Sequence, residues 1–211
     1  MYQPKSPITT AAEVKAILGP VHPSQVAKVI DHIDEHCAKW IERSPFIVIS
    51  SINAAGAMDI SPKGDPAGFV KVLDKHTLAI PDRLGNQRAD TFLNVLENPR
   101  VGIIFIVPKR REVVRVSGTA SLVRDPDLLE QMAVNGKTPR IAMLVHVREA
   151  FFHCGKSMIR SGMWEPDRWA SIDGLPSYAQ AMKDAGELTN FKDSLESLQS
   201  LVERNEAQRL Y

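Results

Sequence analysis

The sequence has few residues that could hold a metal ion or form a disulfide framework. Its 211 residues include two cysteines, Cys37 and Cys154, which lie far apart and outside any CxxC or CxxH motif. Isolated cysteines of this kind indicate a reducing compartment and offer no zinc site. His32 and His36 lie one helical turn apart, but no third ligand follows at a useful spacing, so we predict no metal site.

Long hydrophobic runs and an excess of charge of one sign are also missing. No apolar stretch approaches the roughly 18 residues of a membrane span, and the opening segment MYQPKSPITT lacks the apolar core of a signal peptide. The 26 basic residues are balanced by 25 acidic ones, which argues against nucleic acid or an anionic membrane as the partner. We therefore expect a cytoplasmic protein with neither of these partners.

The signatures of several common enzyme classes are absent as well. The chain contains no GxSxG, HExxH, Walker A or GxGxxG motif, so the usual hydrolase, zinc peptidase and nucleotide sites are not expected. The informative residues are polar ones that interrupt apolar segments, namely Ser61, Lys63, Asp82, Arg83, Arg115 and Ser117. A second group places cationic donors beside aromatic rings, and it comprises His153, Lys156, Ser157, Arg160 and Trp164.

The hydrophobic pattern predicts a mainly β protein with added helices. Between residues 45 and 152, six or seven short apolar segments are separated by turn signals, and Gly118 interrupts the longest of them as a bulge or bend. Hairpins of this kind favour a small closed or split antiparallel barrel. Helices are predicted near residues 10–19, where Thr10 and Glu13 can form a capping box, and at residues 23–43, 127–134, 156–161 and 187–209.

Residues 78–108 suggest an anion site. A strand ends at Pro81-Asp82, and a polar loop leads to a helix predicted to start near Asn86 or Gln87. The expected buried stripe of that helix is Ala89, Phe92, Leu93 and Leu96, and a strand buried on both faces follows at residues 101–107. A helix N-terminus between Arg83 and Arg88 would offer unpaired N–H groups to a phosphate.

Four segments together resemble a known family. They are FIVISSINAAGAMDISPKGD, IPDRLGNQRADTFLNVLENPRVGIIFIVP, VVRVSGTASLVRD and FFHCGKSMIRSGMW, which span about residues 45–165. Their order and joint presence resemble the FMN-binding split-barrel proteins related to pyridoxamine 5'-phosphate oxidase, in particular a bacterial subfamily labelled "PPOX class probable FMN-dependent enzyme". The resemblance implies a six-stranded antiparallel split β-barrel with N- and C-terminal helices. It divides the chain into a helical extension (1–44), a barrel core (45–165) and a C-terminal loop and helix (166–211).

The resemblance also implies a homodimer that holds FMN at its interface. The flavin phosphate would be bound by basic and polar residues of one subunit, namely Ser61, Lys63, Arg83, Asn86 and Arg88. The flavin ring would lie against the backbone of Ile80, Pro81 and Asp82, with the N–H groups of Ile80 and Asp82 facing ring acceptors. The other subunit would supply His153, Lys156, Arg160 and Trp164.

The function implied is that of an FMN-dependent oxidoreductase acting on an unknown small molecule. It would take hydride from NADH or NADPH, or directly from its substrate, and the flavin would perform the redox step. The alternatives are a non-catalytic flavin- or haem-binding storage protein, with His153 as the axial ligand, and a deazaflavin-using reductase. The family's arginine-rich first FMN strand is replaced here by MDISPKG, so vitamin B6 is not the expected substrate.

Overall fold

A seven-stranded antiparallel sheet organises the computed structural model, which describes residues 2–211. The strands are β1 (Phe46–Ile52), β2 (Met58–Gly64), β3 (Lys71–Asp74), β4 (Thr77–Pro81), β5 (Arg100–Ile106), β6 (Val113–Val123) and β7 (Ala142–His153). Their order across the sheet is β2-β1-β5-β6-β7-β4-β3, and every neighbouring pair is antiparallel.

The sheet curls until its two ends meet without pairing. Asp65 follows the edge strand β2, Arg83 follows β4 near the opposite end of the sheet, and the two side chains form an ion pair. Within residues 2–211, no strand pairing joins β2 to β3, so the barrel remains split. The predicted split barrel is confirmed, and the sheet has seven strands where the resemblance implied six, the short edge strand β3 included.

Eight helices surround the sheet in the described part of the chain. They are α1 (Ala11–Leu18), α2 (Pro23–Ala27), α3 (Glu35–Ile41), α4 (Asp90–Glu97), α5 (Pro126–Glu130), α6 (Lys156–Ser161), α7 (Tyr178–Glu187) and α8 (Leu195–Gln208), with one 3₁₀ turn at Pro166–Arg168. The predicted capping box of α1 is confirmed, because the Thr10 hydroxyl accepts from the Glu13 N–H and the Thr10 N–H donates to the Glu13 carboxylate. No helix among residues 2–211 is both long and apolar enough to cross a membrane.

The single helix predicted for residues 23–43 is wrong. The segment between α2 and α3 is extended because Ile30 exchanges two backbone hydrogen bonds with Ala150 of β7, at 3.1 and 2.8 Å. The helix then restarts at Asp34, whose carboxylate accepts from the Cys37 N–H at 2.7 Å. Strand pairing with β7 therefore overrides the helical periodicity and brings α3 against the barrel.

The amphipathic tail predicted as one helix at residues 187–209 is also divided. Helix α7 ends at Glu187, and Asn190 adopts a positive φ of 62° in the connection. Ser194 then caps α8 by accepting from the Ser197 N–H. The two helices pack against each other, with Leu198 of α8 fully buried.

One apolar core fills the barrel. Its largest fully buried side chains are those of Ile41, Ile47, Ile49, Leu78, Ile80, Phe105, Val114, Val116, Met143 and Val145. Strand β5 was predicted to be buried on both faces, and this is wrong. Its burial alternates, so that Ile103 and Phe105 are buried while Ile104 is exposed on the outer face of the sheet.

Gly118 allows β6 and β7 to approach closely. The register of the two strands shifts between Ser117 and Gly118, which confirms the predicted bulge. A Cβ atom on Gly118 would lie 2.1 Å from the carbonyl oxygen of His146, a distance that requires the backbone to move.

We expect Gly118→Ala to lower the free energy of unfolding by about 3 kcal/mol, the upper range for overpacking. Gly56→Ala is the matched control, since Gly56 has a positive φ of 86° but no neighbour within 4 Å of its added Cβ. Backbone strain alone would then reduce stability by about 1 kcal/mol. Urea denaturation measures both variants, and equal losses would contradict the proposed clash.

Candidate functional site

The inner face of β2 is polar, although it points toward the barrel. Asp59, Ser61 and Lys63 alternate along this strand and are half-buried. Ser61 and Lys63 lie directly opposite Ile49 and Ile47 of β1, which are fully buried, and directly paired residues share one face of a sheet. An inward-facing row of polar side chains at a sheet edge departs from normal strand patterning and marks a site that needs polar groups.

The outer face of the same strand is apolar and exposed. Met58 and Ile60 are 68% and 67% exposed, and Phe46 of β1 and Ile104 of β5 are exposed on the same side of the sheet. We call these four residues the outer patch. Strand β2 is therefore inverted, with its polar residues inside and its apolar residues outside.

Lys63 is a half-buried cation without a carboxylate partner. Its Nζ lies 5.2 Å from the ring centroid of Phe92, and it forms no ion pair within residues 2–211. Burial lowers the pKa of Lys63, and the more distant carboxylates of Asp82 and Asp59 oppose this shift. The site thus contains a positive charge that the described side chains do not neutralise by direct contact.

Two carboxylates border Lys63. Burial raises the pKa of Asp82, and the positive charges of Lys63 and Arg83 act in the opposite direction together with a backbone hydrogen bond. Asp59 accepts a hydrogen bond of 2.7 Å from the Thr91 hydroxyl in the first turn of α4. The cluster therefore connects β2, the end of β4 and the start of α4.

Arg83 is held by structural contacts. Its Nε lies 2.5 Å from the Asp65 carboxylate and its Nη2 donates to the carbonyl of Met132 at 2.7 Å. The Arg83 and Asp65 side chains are only 15% and 1% exposed. The Tyr211 hydroxyl donates to the other Asp65 oxygen at 2.7 Å, and the Tyr211 ring lies 5.7 Å from the guanidinium. These contacts direct the guanidinium toward Asp65 and engage two of its five N–H donors.

The helix after this loop starts later than predicted. Helix α4 begins at Asp90, and Gln87 and Ala89 have positive φ angles of 62° and 58°. Asn86 and Arg88 consequently lie in the preceding loop, where the Asn86 side chain accepts from the Arg88 N–H. The Arg88 guanidinium is exposed and bonded to the Asp90 carboxylate at 2.7 Å.

Of the predicted buried stripe of that helix, only Phe92 is confirmed, because it is half-buried and packs against the barrel core. Thr91 and Val95 are the buried residues of α4, whereas Leu93 and Leu96 are exposed. Asp90 already places a negative charge in the first turn, where the helix dipole would otherwise attract an anion. The cationic centre of the site is therefore Lys63 rather than the helix N-terminus.

The backbone expected to face a flavin ring belongs to the core of the barrel. Ile80 and Pro81 are buried in β4, opposite Met143 and Ala142 of β7. The Asp82 N–H donates to the carbonyl of Ile141 at 2.9 Å. The expectation that the Asp82 N–H is free for a ring acceptor is therefore wrong.

The second predicted group lies at the end of β7 and on α6. Burial lowers the pKa of His153, with smaller contributions from the charges of Arg115 and Lys28. Lys156 and Arg160 are exposed on α6, and the Trp164 indole donates to the carbonyl of Arg110 at 2.7 Å. Across residues 2–211, no hydrogen bond or ion pair connects this group to Lys63 or Asp82.

Sequence reasoning missed the roles of Asp65 and Asp59. Asp65 follows Lys63 in the segment SPKGDP, and Asp59 falls two residues before Ser61, so both were adjacent to predicted site residues. The available signal for Asp59 was the polar alternation in MDISPKG, which continues back to this position. Asp65 carries no such signal, because its partner Arg83 is distant in sequence.

The comparison with protein families identifies this architecture. Residues 33–154 match the family model described as pyridoxamine 5'-phosphate oxidase, and this match covers more than half of the chain. The chain belongs to the pyridoxamine 5'-phosphate oxidase family. Among curated proteins, none matches this chain.

Several solved structures resemble the barrel region. HupZ from Group A Streptococcus is 20% identical, with a TM-score of 0.46, and the match covers 57% of this chain and 93% of that one. An FMN-binding protein from Syntrophomonas wolfei is 9% identical, with a TM-score of 0.44 and coverage of 67% and 95%. HutZ, the haem storage protein from Vibrio cholerae, is 13% identical, with a TM-score of 0.42 and coverage of 58% and 94%.

We expect Arg83→Leu to lower the free energy of unfolding by about 3–5 kcal/mol, because the nearly inaccessible Asp65 carboxylate loses its counter-charge. The control is Glu165→Leu, which breaks an exposed pair with Arg168 and should change stability by less than about 1 kcal/mol. Chemical denaturation measures both. The double variant Arg83→Leu, Asp65→Leu should recover part of the lost stability, because no unpaired carboxylate then remains buried. If Arg83→Leu loses no more stability than the control, the structural role of the pair is contradicted.

Proposed function

We propose that this chain is an FMN-binding flavoprotein that acts as an FMN-dependent oxidoreductase on a small molecule, with FMN at a homodimer interface. The observation that carries the proposal is the inverted strand β2, which places an unneutralised lysine inside the barrel edge and apolar residues outside. Membership of the pyridoxamine 5'-phosphate oxidase family supports the same conclusion.

The residues around Lys63 fit a phosphate group. A phosphate beside Lys63 would provide the directly contacting anion that this lysine lacks and would form strong charge-assisted hydrogen bonds. The Ser61 hydroxyl lies on the same strand face, two residues away. Arg88 lies close enough to Asp59 of β2 to be influenced by its charge, so the Arg88 guanidinium borders the same cluster. We therefore assign phosphate binding to Lys63, Ser61, Asn86 and Arg88, while Arg83 chiefly holds Asp65.

The outer patch supports the homodimer. Its apolar side chains lie on neighbouring strands of one sheet face, since Ile60 is on β2, Phe46 on β1 and Ile104 on β5. An exposed apolar surface on a sheet edge usually marks a contact with another chain. We propose that a second copy covers it and brings its own β7 end and α6 toward the Lys63 cluster.

The partner's second group would then complete the ring end of the site. In our assignment, His153, Lys156 and Arg160 contribute polar and cationic groups, while Trp164 contributes its ring because its indole N–H is already bonded. Ile80, Pro81 and Asp82 form the wall on the first subunit. Their chief contribution would be shape and exclusion of water, since the Asp82 N–H is taken by Ile141.

FMN, when bound, would supply the hydride chemistry, with NADH, NADPH or the substrate as the donor. The residues of the chain would bind the phosphate, orient the ring and keep water away from it. A haem- or flavin-storage protein is the alternative, and the lowered pKa of His153 leaves that imidazole neutral enough to act as a ligand near neutral pH. We further propose that the protein acts in the cytoplasm, in keeping with its two free cysteines.

The visible spectrum of the purified protein tests the cofactor. Absorption bands of an oxidised flavin support the proposal, and a Soret band would replace FMN by haem. If the protein is colourless and added FMN does not raise its Tm, the cofactor assignment is wrong. Oxidation of NADH or NADPH with oxygen or a dye then tests whether the flavoprotein is an enzyme.

Lys63→Met should weaken FMN binding and yet stabilise the protein without FMN. The pKa of Lys63 is lowered in the folded state, so its charge destabilises the fold throughout neutral pH. Removing that charge should raise the free energy of unfolding by about 0.5–2 kcal/mol at pH 7. This advantage should shrink as pH rises toward 10.5, the ordinary lysine value, because wild type then loses the proton too.

The same variant should lose about 1.5–3 kcal/mol of FMN binding free energy, the scale of one hydrogen bond to a charged group. Calorimetry with FMN and urea denaturation without FMN measure the two effects. Arg88→Ala is the comparison variant, and it should weaken binding less because Arg88 is fully exposed and shared with Asp90. Unchanged FMN affinity in Lys63→Met would place the phosphate elsewhere.

Ile60→Glu should disrupt the dimer and lower FMN affinity together. A carboxylate in the centre of the outer patch would be buried against the second copy, which is unfavourable without a partner charge. Analytical ultracentrifugation should show monomers, whereas Leu96→Glu on the exposed side of α4 is the control and should remain dimeric. A monomeric variant that keeps full FMN affinity would contradict the interface site.

A further inference from the structure

We propose that a cavity between the N-terminal segment and the outer end of the sheet binds an amphipathic organic anion, one with a planar apolar body and a carboxylate. The cavity has a volume of about 740 Å³. Its walls come from α3 and the segment before it on one side, and from the end of β7 and the β5–β6 turn on the other. None of its lining residues belongs to the Lys63 cluster.

The cavity exists because the chain before α3 is extended. The paired hydrogen bonds between Ile30 and Ala150 attach this segment to β7, and the Ile33 N–H donates to the carbonyl of Lys75 at 2.7 Å. Ile33 and Cys37 then enter the barrel core, while Trp40 stays half-buried at the cavity wall. A continuous helix through residues 23–43 would have removed the pairing with β7 and, with it, this wall.

The interior of the cavity suits a flat apolar group. Trp40 and Phe152 pack edge to face, with ring centroids 5.2 Å apart, and Phe151 and Val107 complete the apolar lining. Aromatic walls favour planar ligands through stacking and edge contacts. The Trp40 indole N–H is buried and has no acceptor among the described residues, which leaves one unsatisfied donor in this wall.

The rim of the cavity is positively charged. The Lys28 ammonium lies 5.6 Å from the Phe151 ring centroid, and the Arg110 guanidinium lies 5.4 Å from the Trp40 ring centroid. Lys39 and Arg43 also line the cavity, and Asp34 is its one carboxylate. That carboxylate is engaged in capping α3. Lys39 is paired with Glu35 and Arg110 with Glu112, whereas Lys28 and Arg43 form no ion pair among the described residues. The unpaired charges of Lys28 and Arg43 favour an anionic ligand whose charged end stays at the rim.

The cavity is suited to binding rather than to covalent chemistry. Its one thiol belongs to Cys37, which is fully buried. Burial and the neighbouring Asp34 raise the pKa of that thiol to about 12, so it is not ionised at neutral pH and is a poor nucleophile. Cys37 therefore serves as an apolar contact.

The position of the cavity suggests that its ligand is the substrate. Phe151 and Phe152 directly precede His153 on β7, and the charge of Lys28 acts on His153. This step rests on the proposed flavin site, in which His153 faces the partner's ring. The cavity would then hold an aromatic or conjugated carboxylate substrate beside the flavin. Binding of the anion in the cavity does not itself require FMN.

The test uses 2-naphthoate and its neutral analogue 2-naphthamide as probes, measured by calorimetry on the full-length protein with and without FMN. Wild type should bind both, and the double variant Lys28→Ala, Arg110→Ala should lose at least about tenfold in naphthoate affinity while its naphthamide affinity changes less than about twofold. Val107→Trp should weaken both probes by filling the cavity. Lys183→Ala, on helix α7, is the control and should bind like wild type, since Lys183 is not among the lining residues of the cavity.

Three results would overturn the proposal. The first is that folded wild type does not bind naphthoate. The second is that the double variant loses affinity for both probes equally. The third is that FMN and naphthoate compete for one site and that the double variant also loses affinity for FMN. The last result would make the cavity part of the flavin site. Intact naphthoate binding without any FMN binding would instead refute only the flavin proposal and the substrate step. Melting curves confirm folding, and if Val107→Trp fails to fold, the half-exposed rim variants still decide the question.

Discussion

The ion pair between Arg83 and Asp65 connects the two ends of the curled sheet. It joins the chain after β2 to the chain after β4, which belong to opposite ends of a seven-stranded sheet. Buried charges need hydrogen-bond partners beyond each other, and here the Met132 carbonyl and the Tyr211 hydroxyl supply one further hydrogen bond to each member of the pair. Lys63 precedes Asp65 by two residues and Asp82 precedes Arg83 by one, so the contact between the two ends of the sheet also brings Lys63 near Asp82.

This arrangement explains why β2 breaks ordinary strand patterning. A polar row facing inward and an apolar row facing outward both reduce the stability of an isolated chain. The inward row is explained if an anion occupies the space beside Lys63, and the outward row is explained if a second copy covers Met58 and Ile60. The proposed two-chain cofactor site would therefore account for both departures from a normal strand.

Local chemistry made much of the fold predictable. The capping box at Thr10, the strand β6 with its bulge at Gly118, the helix Lys156–Ser161 and the mainly β barrel were all predicted from neighbouring residues. The errors fall where strand pairing or the local backbone conformation overrides side-chain periodicity. Ile30 pairs with Ala150 and breaks an otherwise periodic helix, and positive φ angles at Gln87 and Ala89 delay the start of α4. Side-chain periodicity reports neither strand pairing nor backbone dihedral angles, so it could not reveal these two features.

The sequence by itself determined the β-rich class, the family and the residue types from which a phosphate site can be built, because these depend on local alternation, turns and motifs. Only the tertiary structure decided which charges meet. It assigned Arg83 to Asp65 and left Lys63 without a carboxylate partner. It also opened an aromatic cavity below Lys28 and Arg110. The physical reason is that a sequence pattern reports which face of an element is apolar, whereas ion pairing and cavity formation depend on which distant elements the curled sheet brings together.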